Sequence, residues 1–130
     1  MGSANNVELV RIAMDKTDEA AMMAVWNAAS DQLVWHFHGE GSELDGVYRG
    51  KDYVFANFQG RLSEMTGGTF AVKAIDIHPA GDELVSVHFW GSMTIEGEER
   101  SGDGVLVFRV VDGSIAEVFD MPSRKLLSAT

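Results

Sequence analysis

Between Thr69 and Met121 the chain repeats one pattern four times, a run of alternating residues broken by a tight turn, and nothing else restricts its fold as strongly. The runs are Thr69 to His78, Leu84 to Ile95, Gly104 to Val111 and Ser114 to Met121. A period of two sends every second side chain to the same face of a strand. The breaks, Pro79-Ala80-Gly81-Asp82, Glu96-Gly97-Glu98-Glu99 and Asp112-Gly113, carry the residues that reverse a chain. Strands joined in this way form an antiparallel meander with one apolar face, and that face must be covered.

The cover comes from the first half. Val7, Leu9, Val10, Ala13 and Met14 recur at helical spacing, as do Ala21, Met22, Val25, Trp26 and Ala29. Thr17 is placed to cap the second helix, with Asp18 and Glu19 in the first turn, where negative charge offsets the helix dipole. Gln32 to His38 reads as a short strand, followed by a loop from Gly39 to Gly46. A third helix is expected from Lys51 to Met65, because Val54, Phe55, Phe58, Leu62 and Met65 make one stripe and Gly67-Gly68 ends it. Gly60 inside it argues against a straight axis.

The expected order is two helices, one strand, one helix and a four-strand meander, in a single domain over residues 1–130 with residues 1–6 flexible. A chain of 130 residues supports one core and is too short for two ordinary ones. If Gly97-Glu98 is a two-residue turn, Phe89 faces Leu106 and Val87 faces Phe108. Val85, Val87, Phe89, Leu106, Phe108 and Val110 then share the inner side, and Ser86, His88, Trp90, Ser92, Val107 and Arg109 the outer one.

Composition excludes several partners. With 20 acidic and 10 basic residues the net charge is -10, so the average surface repels nucleic acid and anionic membranes. No cysteine is present, which removes disulfides, thiol nucleophiles and thiolate metal sites. Without a signal-like start or a long apolar run, the expectation is a soluble cytoplasmic protein.

Four segments, Val34-Trp35-His36-Phe37-His38-Gly39, Asp45-Gly46-Val47-Tyr48-Arg49-Gly50-Lys51, Thr66-Gly67-Gly68-Thr69-Phe70 and Phe108 to Val118, resemble the SnoaL-like and ketosteroid isomerase-like family of the nuclear transport factor 2-like superfamily. The resemblance covers nearly the whole chain. It implies an α+β fold in which a cone-shaped, curved mixed or antiparallel sheet wraps around three helices, a cystatin-like α+β barrel whose interior binds a small apolar molecule. The family includes isomerases, cyclases, dehydratases and epoxide hydrolases, so fold alone assigns no reaction.

On this resemblance His36 takes the place of the proton-abstracting aspartate of ketosteroid isomerases, and an imidazole suits acid/base work near neutrality. The alternative is a rim histidine bonded to backbone. Asp120, on the same face as Ala116 and Val118 by alternation, matches an acidic residue that polyketide cyclases and epoxide hydrolases project into the cone. Apolar walls disfavour its anion, which makes it a plausible acid/base; the alternative is a strand-end carboxylate paired with solvent or Arg124. Leu106 and Met14 stand where ketosteroid isomerases carry their oxyanion-hole groups, which argues against that chemistry here, and the middle strand lacks the arginine and aspartate of the epoxide hydrolases.

The expected pocket adds His38, Tyr48, Phe58, Val87, Phe89, Leu106, Phe108 and Val118. Trp35 is expected in core packing, and Met22, Met23 and Met65 as flexible core filler. His36 and His38 form a His-x-His pair that could hold a metal with Asp120 or Asp76, but no cofactor and no metal are expected. His88, Trp90, Val107 and Phe119 on the outer face suggest a homodimer, and His78 lies at an exposed hairpin tip.

The expected function is therefore binding of a small apolar molecule, with cofactor-independent isomerase, cyclase or lyase chemistry on a carbonyl or polyketide-like substrate. The alternative is a non-catalytic hydrophobic-ligand-binding or dimeric scaffold domain.

Overall fold

The computed structural model describes residues 3–127. Helices α1 (Ser3–Ala13) and α2 (Glu19–Asn27) are followed by strands β1 (Val34–Phe37) and β2 (Gly46–Arg49). Next come α3 (Lys51–Val54), a π-helical turn (Phe55–Gln59) and α4 (Gly60–Thr66). The meander β3 (Ala71–Pro79), β4 (Leu84–Ile95), β5 (Glu98–Val111) and β6 (Ser114–Pro122) leads to a last short helix, α5 (Arg124–Leu127). Helix α1 starts at Ser3, so of the stretch expected to be flexible only Met1 and Gly2 lie outside the described residues.

Six strands form one curled, unclosed sheet in the order β2-β1-β6-β5-β4-β3. The meander is antiparallel, β1 joins β6 in parallel, and β2 pairs antiparallel with β1. Two register shifts, between Ala74 and Asp76 on β3 and between Arg109 and Val110 opposite β6, break the ladder and help it bend.

The inner face is the expected one: Val85, Val87, Phe89, Leu106, Phe108 and Val110 are all buried. The turn is not. Ile95 pairs with Glu98, so Glu96-Gly97 is the two-residue turn, with φ of 52° and 82°. A primed turn has positive φ at both central residues, and glycine at the second position accepts it without steric cost. Phe89 therefore faces Gly104, and Val87 faces Leu106. The offset from the expected register is two residues, which leaves every side chain on its predicted face.

Other expectations need local correction. Asp18, not Thr17, caps α2 by accepting from the Ala21 amide at 3.2 Å, while Thr17 is held by Asp15. Strand β2, which begins where the expected loop ends and for which no element was expected, exists because Val47 and Tyr48 pair with His36 and Trp35. The third helix does run through the predicted stretch, but it carries the π turn just before Gly60, whose amide bonds to the Phe55 carbonyl. At the start of that helix Lys51 Nζ donates to the carbonyls of Asn27 and Ala29, tying it to the end of α2.

Candidate active site

The helices do not fill the concave side of the sheet. They leave a cavity of about 510 Å³ lined by α1, α2, the π turn and α4, by the inner residues of the sheet, and by α5. Trp26, Trp35, Phe37, Phe55, Phe58, Phe70, Phe89 and Phe108 supply aromatic walls, and Met14, Met22, Met23, Met93, Leu62 and Leu106 supply flexible apolar ones. The rings brace each other: Trp35 lies 5.2 Å from Phe58 and 5.8 Å from Trp26 between centroids, and Trp26 lies 6.1 Å from Phe108.

One carboxyl group enters this space among the described residues, that of Asp120. Strand β6 lies between β5 and β1, so Asp120 sits between its register partners Leu106 and Phe37. The residue is only 9% exposed. Its Oδ2 accepts a hydrogen bond from the Trp35 indole N–H at 3.2 Å. Burial disfavours the anion and pushes the carboxyl up to about 7, a rise that the indole hydrogen bond partly opposes. A group with that acidity gives up and takes back a proton near neutral pH.

Of the two candidate acid/base residues, Asp120 reaches the cavity and His36 does not. His36 pairs with Phe119 and stands on the outer face of the sheet, its ring stacked on Phe119 at 4.3 Å with 6° between planes. Its Nε2 lies 2.5 Å from Glu117 Oε2, and Glu117 Oε1 accepts from Arg109 Nε at 3.0 Å. Burial pushes Glu117 up, but hydrogen bonds from His36 and Arg109 outweigh it and hold the carboxylate below its usual range. The reason is the strand period: Trp35 and Phe37 point inward, so His36 between them must point outward.

Phe58, Phe89, Leu106 and Phe108 line the cavity as expected, as does Met14. His38 does not, being exposed one step past the end of β1. Tyr48 is buried in the core, where its hydroxyl donates to the Leu44 carbonyl at 2.6 Å. Val87 and Val118 are sealed in the core and do not reach the cavity. Ala116 is the bulged residue on β6, so Ile115 takes the inner position expected of it. Arg124 faces Glu40 at 3.8 Å and leaves Asp120 alone. With both histidines outside, the His-x-His pair and Asp120 form no joint ligand set. Among the described residues no group of three or more histidine, cysteine, aspartate or glutamate side chains is placed to hold a metal.

Sequence reasoning missed the partner of Asp120, Trp35, and the polar cavity residues Lys16, Asn27, Gln59, Ser63 and Thr66. A signal for Trp35 was present: residues 35, 37 and 118 are large and apolar and belong on the same side as Asp120 by parity. No comparable signal marks the polar residues, which reach the cavity from helices and a connecting loop.

A family model for the SnoaL-like domain matches residues 7–118. A protein of unknown function with a cystatin-like fold from Xanthomonas campestris is 25% identical, with a TM-score of 0.78 and coverage of 99% of this chain and 97% of that one. An NTF2-like protein from Burkholderia thailandensis is 26% identical, with a TM-score of 0.77 and coverage of 94% and 93%. A putative SnoaL-like polyketide cyclase from Jannaschia sp. is 17% identical, with a TM-score of 0.75 and coverage of 96% and 93%, a likeness of fold. No curated protein matches the chain. Among the described residues no helix is long and apolar enough to cross a membrane.

Proposed function

The chain belongs to the SnoaL-like domain family, and from that premise we propose that it binds a small, flat, apolar carbonyl compound in its cone and moves a proton on it, with Asp120 as the acid/base. The observation that carries this reading is that, among the described residues, one carboxyl enters the aromatic cavity; burial pushes it up to about 7. Aromatic walls hold a planar body by stacking and keep water from the carboxyl. The reaction class is isomerisation, cyclisation or elimination next to a carbonyl, in which a proton leaves one atom of the substrate and returns to another. His36 has no part in it, since its ring is on the other side of the sheet.

The test uses β-tetralone, a flat bicyclic ketone with acidic hydrogens, in deuterated buffer. Exchange at its α-carbon, followed by proton NMR, is expected to be faster with the protein than with buffer, to return to the buffer rate in Asp120→Asn, and to persist in His36→Ala. Equal exchange by wild type and Asp120→Asn would sink the assignment.

One observation favours a second reading, in which the same cavity binds without reacting. Asp120 is alone: no second carboxyl or histidine lines the cavity among the described residues to share the proton work. Tight binding of β-tetralone with no exchange would select this reading.

Under either reading we propose a second copy of the chain as partner for the outer face of the sheet. Trp90, Val105 and Met121 are 47%, 39% and 39% exposed there, next to Phe119, Val107 and His88. So much apolar surface on one face of a sheet favours association.

A further inference from the structure

The two oxygens of Asp120 are not equivalent. Oδ2 is met by the indole N–H of Trp35 at 3.2 Å, whereas no described residue hydrogen-bonds Oδ1. Nor is Oδ1 sealed in the protein, for among the described residues the one enclosed side-chain polar atom without a partner is Arg100 Nε. Since Asp120 lines the cavity, Oδ1 is the oxygen that opens into it.

An indole N–H donates and cannot accept. The hydroxyl oxygen of a carboxylic acid is a weaker acceptor than its carbonyl oxygen, so with the indole N–H on Oδ2 the neutral acid carries its proton on Oδ1. Trp35 cannot turn aside. It is 6% exposed, its ring is wedged against Phe58 and Trp26, and its backbone pairs with Val118 on one side and Tyr48 on the other.

We infer that Trp35 is the positioning residue of the site: its indole holds Oδ2 as an acceptor and so assigns the movable proton of Asp120 to Oδ1, the oxygen that meets a bound molecule. This rests on the reading of Asp120 as the acid/base. The bound molecule must place an accepting oxygen, that of a ketone, ester or enolate, against Oδ1. In the forward step the Oδ1–H bond breaks, its electron pair stays on the carboxylate, and the proton joins the lone pair of the carbonyl oxygen; the neighbouring α C–H bond then breaks, its electron pair becomes the C=C bond of the enol, and Oδ1 takes that proton. Trp35 serves both states, because its N–H bonds to Oδ2 whether or not Oδ1 is protonated, and more strongly to the anion.

The test is a carboxyl and indole NMR titration of the full chain labelled with carbon-13 and nitrogen-15. The Trp35 indole proton should move downfield with the same midpoint as the Asp120 carboxyl carbon, while the Trp26 indole, bonded to the Ala13 carbonyl, stays in place. In Trp35→Phe the Asp120 midpoint should rise by about one unit, since the anion loses its donor; Trp90→Phe, away from the cavity, should leave it unmoved. A Trp35 indole that stays still through the Asp120 titration, or a Trp35→Phe midpoint equal to wild type, overturns the assignment. If Trp35→Phe does not fold, the wild-type indole titration decides alone. An Asp120 midpoint in the ordinary carboxylate range would instead remove the acid/base reading, and the Trp35 indole would still have to follow that midpoint for the positioning role to stand.

Discussion

Gly91 and Gly102 lie opposite each other on β4 and β5, and α5 with the residue before it occupies the space over both: the Leu126 side chain over Gly91, and Ser123 with the Leu126 backbone over Gly102. A Cβ on Gly102 would sit 2.8 Å from Ser123 Oγ and 2.9 Å from the Leu126 amide nitrogen, and one on Gly91 would sit 2.9 Å from Leu126 Cδ2. Leu126 and Leu127 also line the cavity, so this glycine pair seats the segment that closes part of it. Gly102→Ala meets backbone and is expected to cost roughly 1 to 3 kcal/mol by forcing α5 off its seat. Gly91→Ala meets the tip of a flexible side chain and should cost less. Denaturant midpoints check the order; a Gly102→Ala protein as stable as wild type would mean that α5 does not rest there.

Asp120 also sets a pH dependence of stability. Its carboxyl rises from 3.8 to about 7 on folding, so the folded state holds the proton more tightly. The stability this contributes is complete below pH 3.8 and is lost as pH rises through about 7. Asp120→Asn removes the dependence. The stability of the variant relative to wild type should climb across that window by about 4 kcal/mol and then level off. Parallel stability-against-pH curves for the two proteins would contradict the burial of a protonated carboxyl.

Glu117 works in the opposite direction. Bonded to His36 and Arg109, it is held below its usual range, so its contribution is present above 4.5 and disappears as pH falls through its lowered value. Glu117→Gln is expected to cost about 1 kcal/mol at neutral pH, because the group is partly solvated, and to match wild type at low pH. Urea unfolding at several pH values reads this directly. A constant gap between the two proteins down to strong acid would rule out the ion pairs as its source.

For the proposed pairing of two copies, Trp90→Glu with Val105→Lys places charge on the outer face of β4 and β5 without touching the cavity. Light scattering should report twice the chain mass for wild type and the single mass for the double variant, with exchange of β-tetralone hydrogens reporting whether the cavity survives. A wild type that scatters as one chain at micromolar concentration would remove the second copy as partner.

Period-two alternation was enough to determine the inner face of the sheet, even with the β4–β5 turn misplaced, because a shift of two residues keeps every side chain on its side. The same logic put Asp120 with Val118 on the concave side. Applied to β1, it would also have sent His36 outward with Trp35 and Phe37 inward, a conclusion that the resemblance of His36 to a catalytic position obscured. Strand β2 was less legible, since four residues carry too little pattern and owe their extended form to the neighbouring strand.

What depended on tertiary structure was the meeting of groups far apart in the chain. Trp35 and Asp120 are neighbours only because β1 joins β6 in parallel, a pairing between segments about eighty residues apart that no local pattern specifies. Whether the helices filled the cone or left it hollow was likewise undetermined by periodicity, which says which faces are apolar but not how closely they approach. The alternation of side chains is a property of a single strand and can be read along the chain; the acidity of Asp120 is a property of everything packed around it.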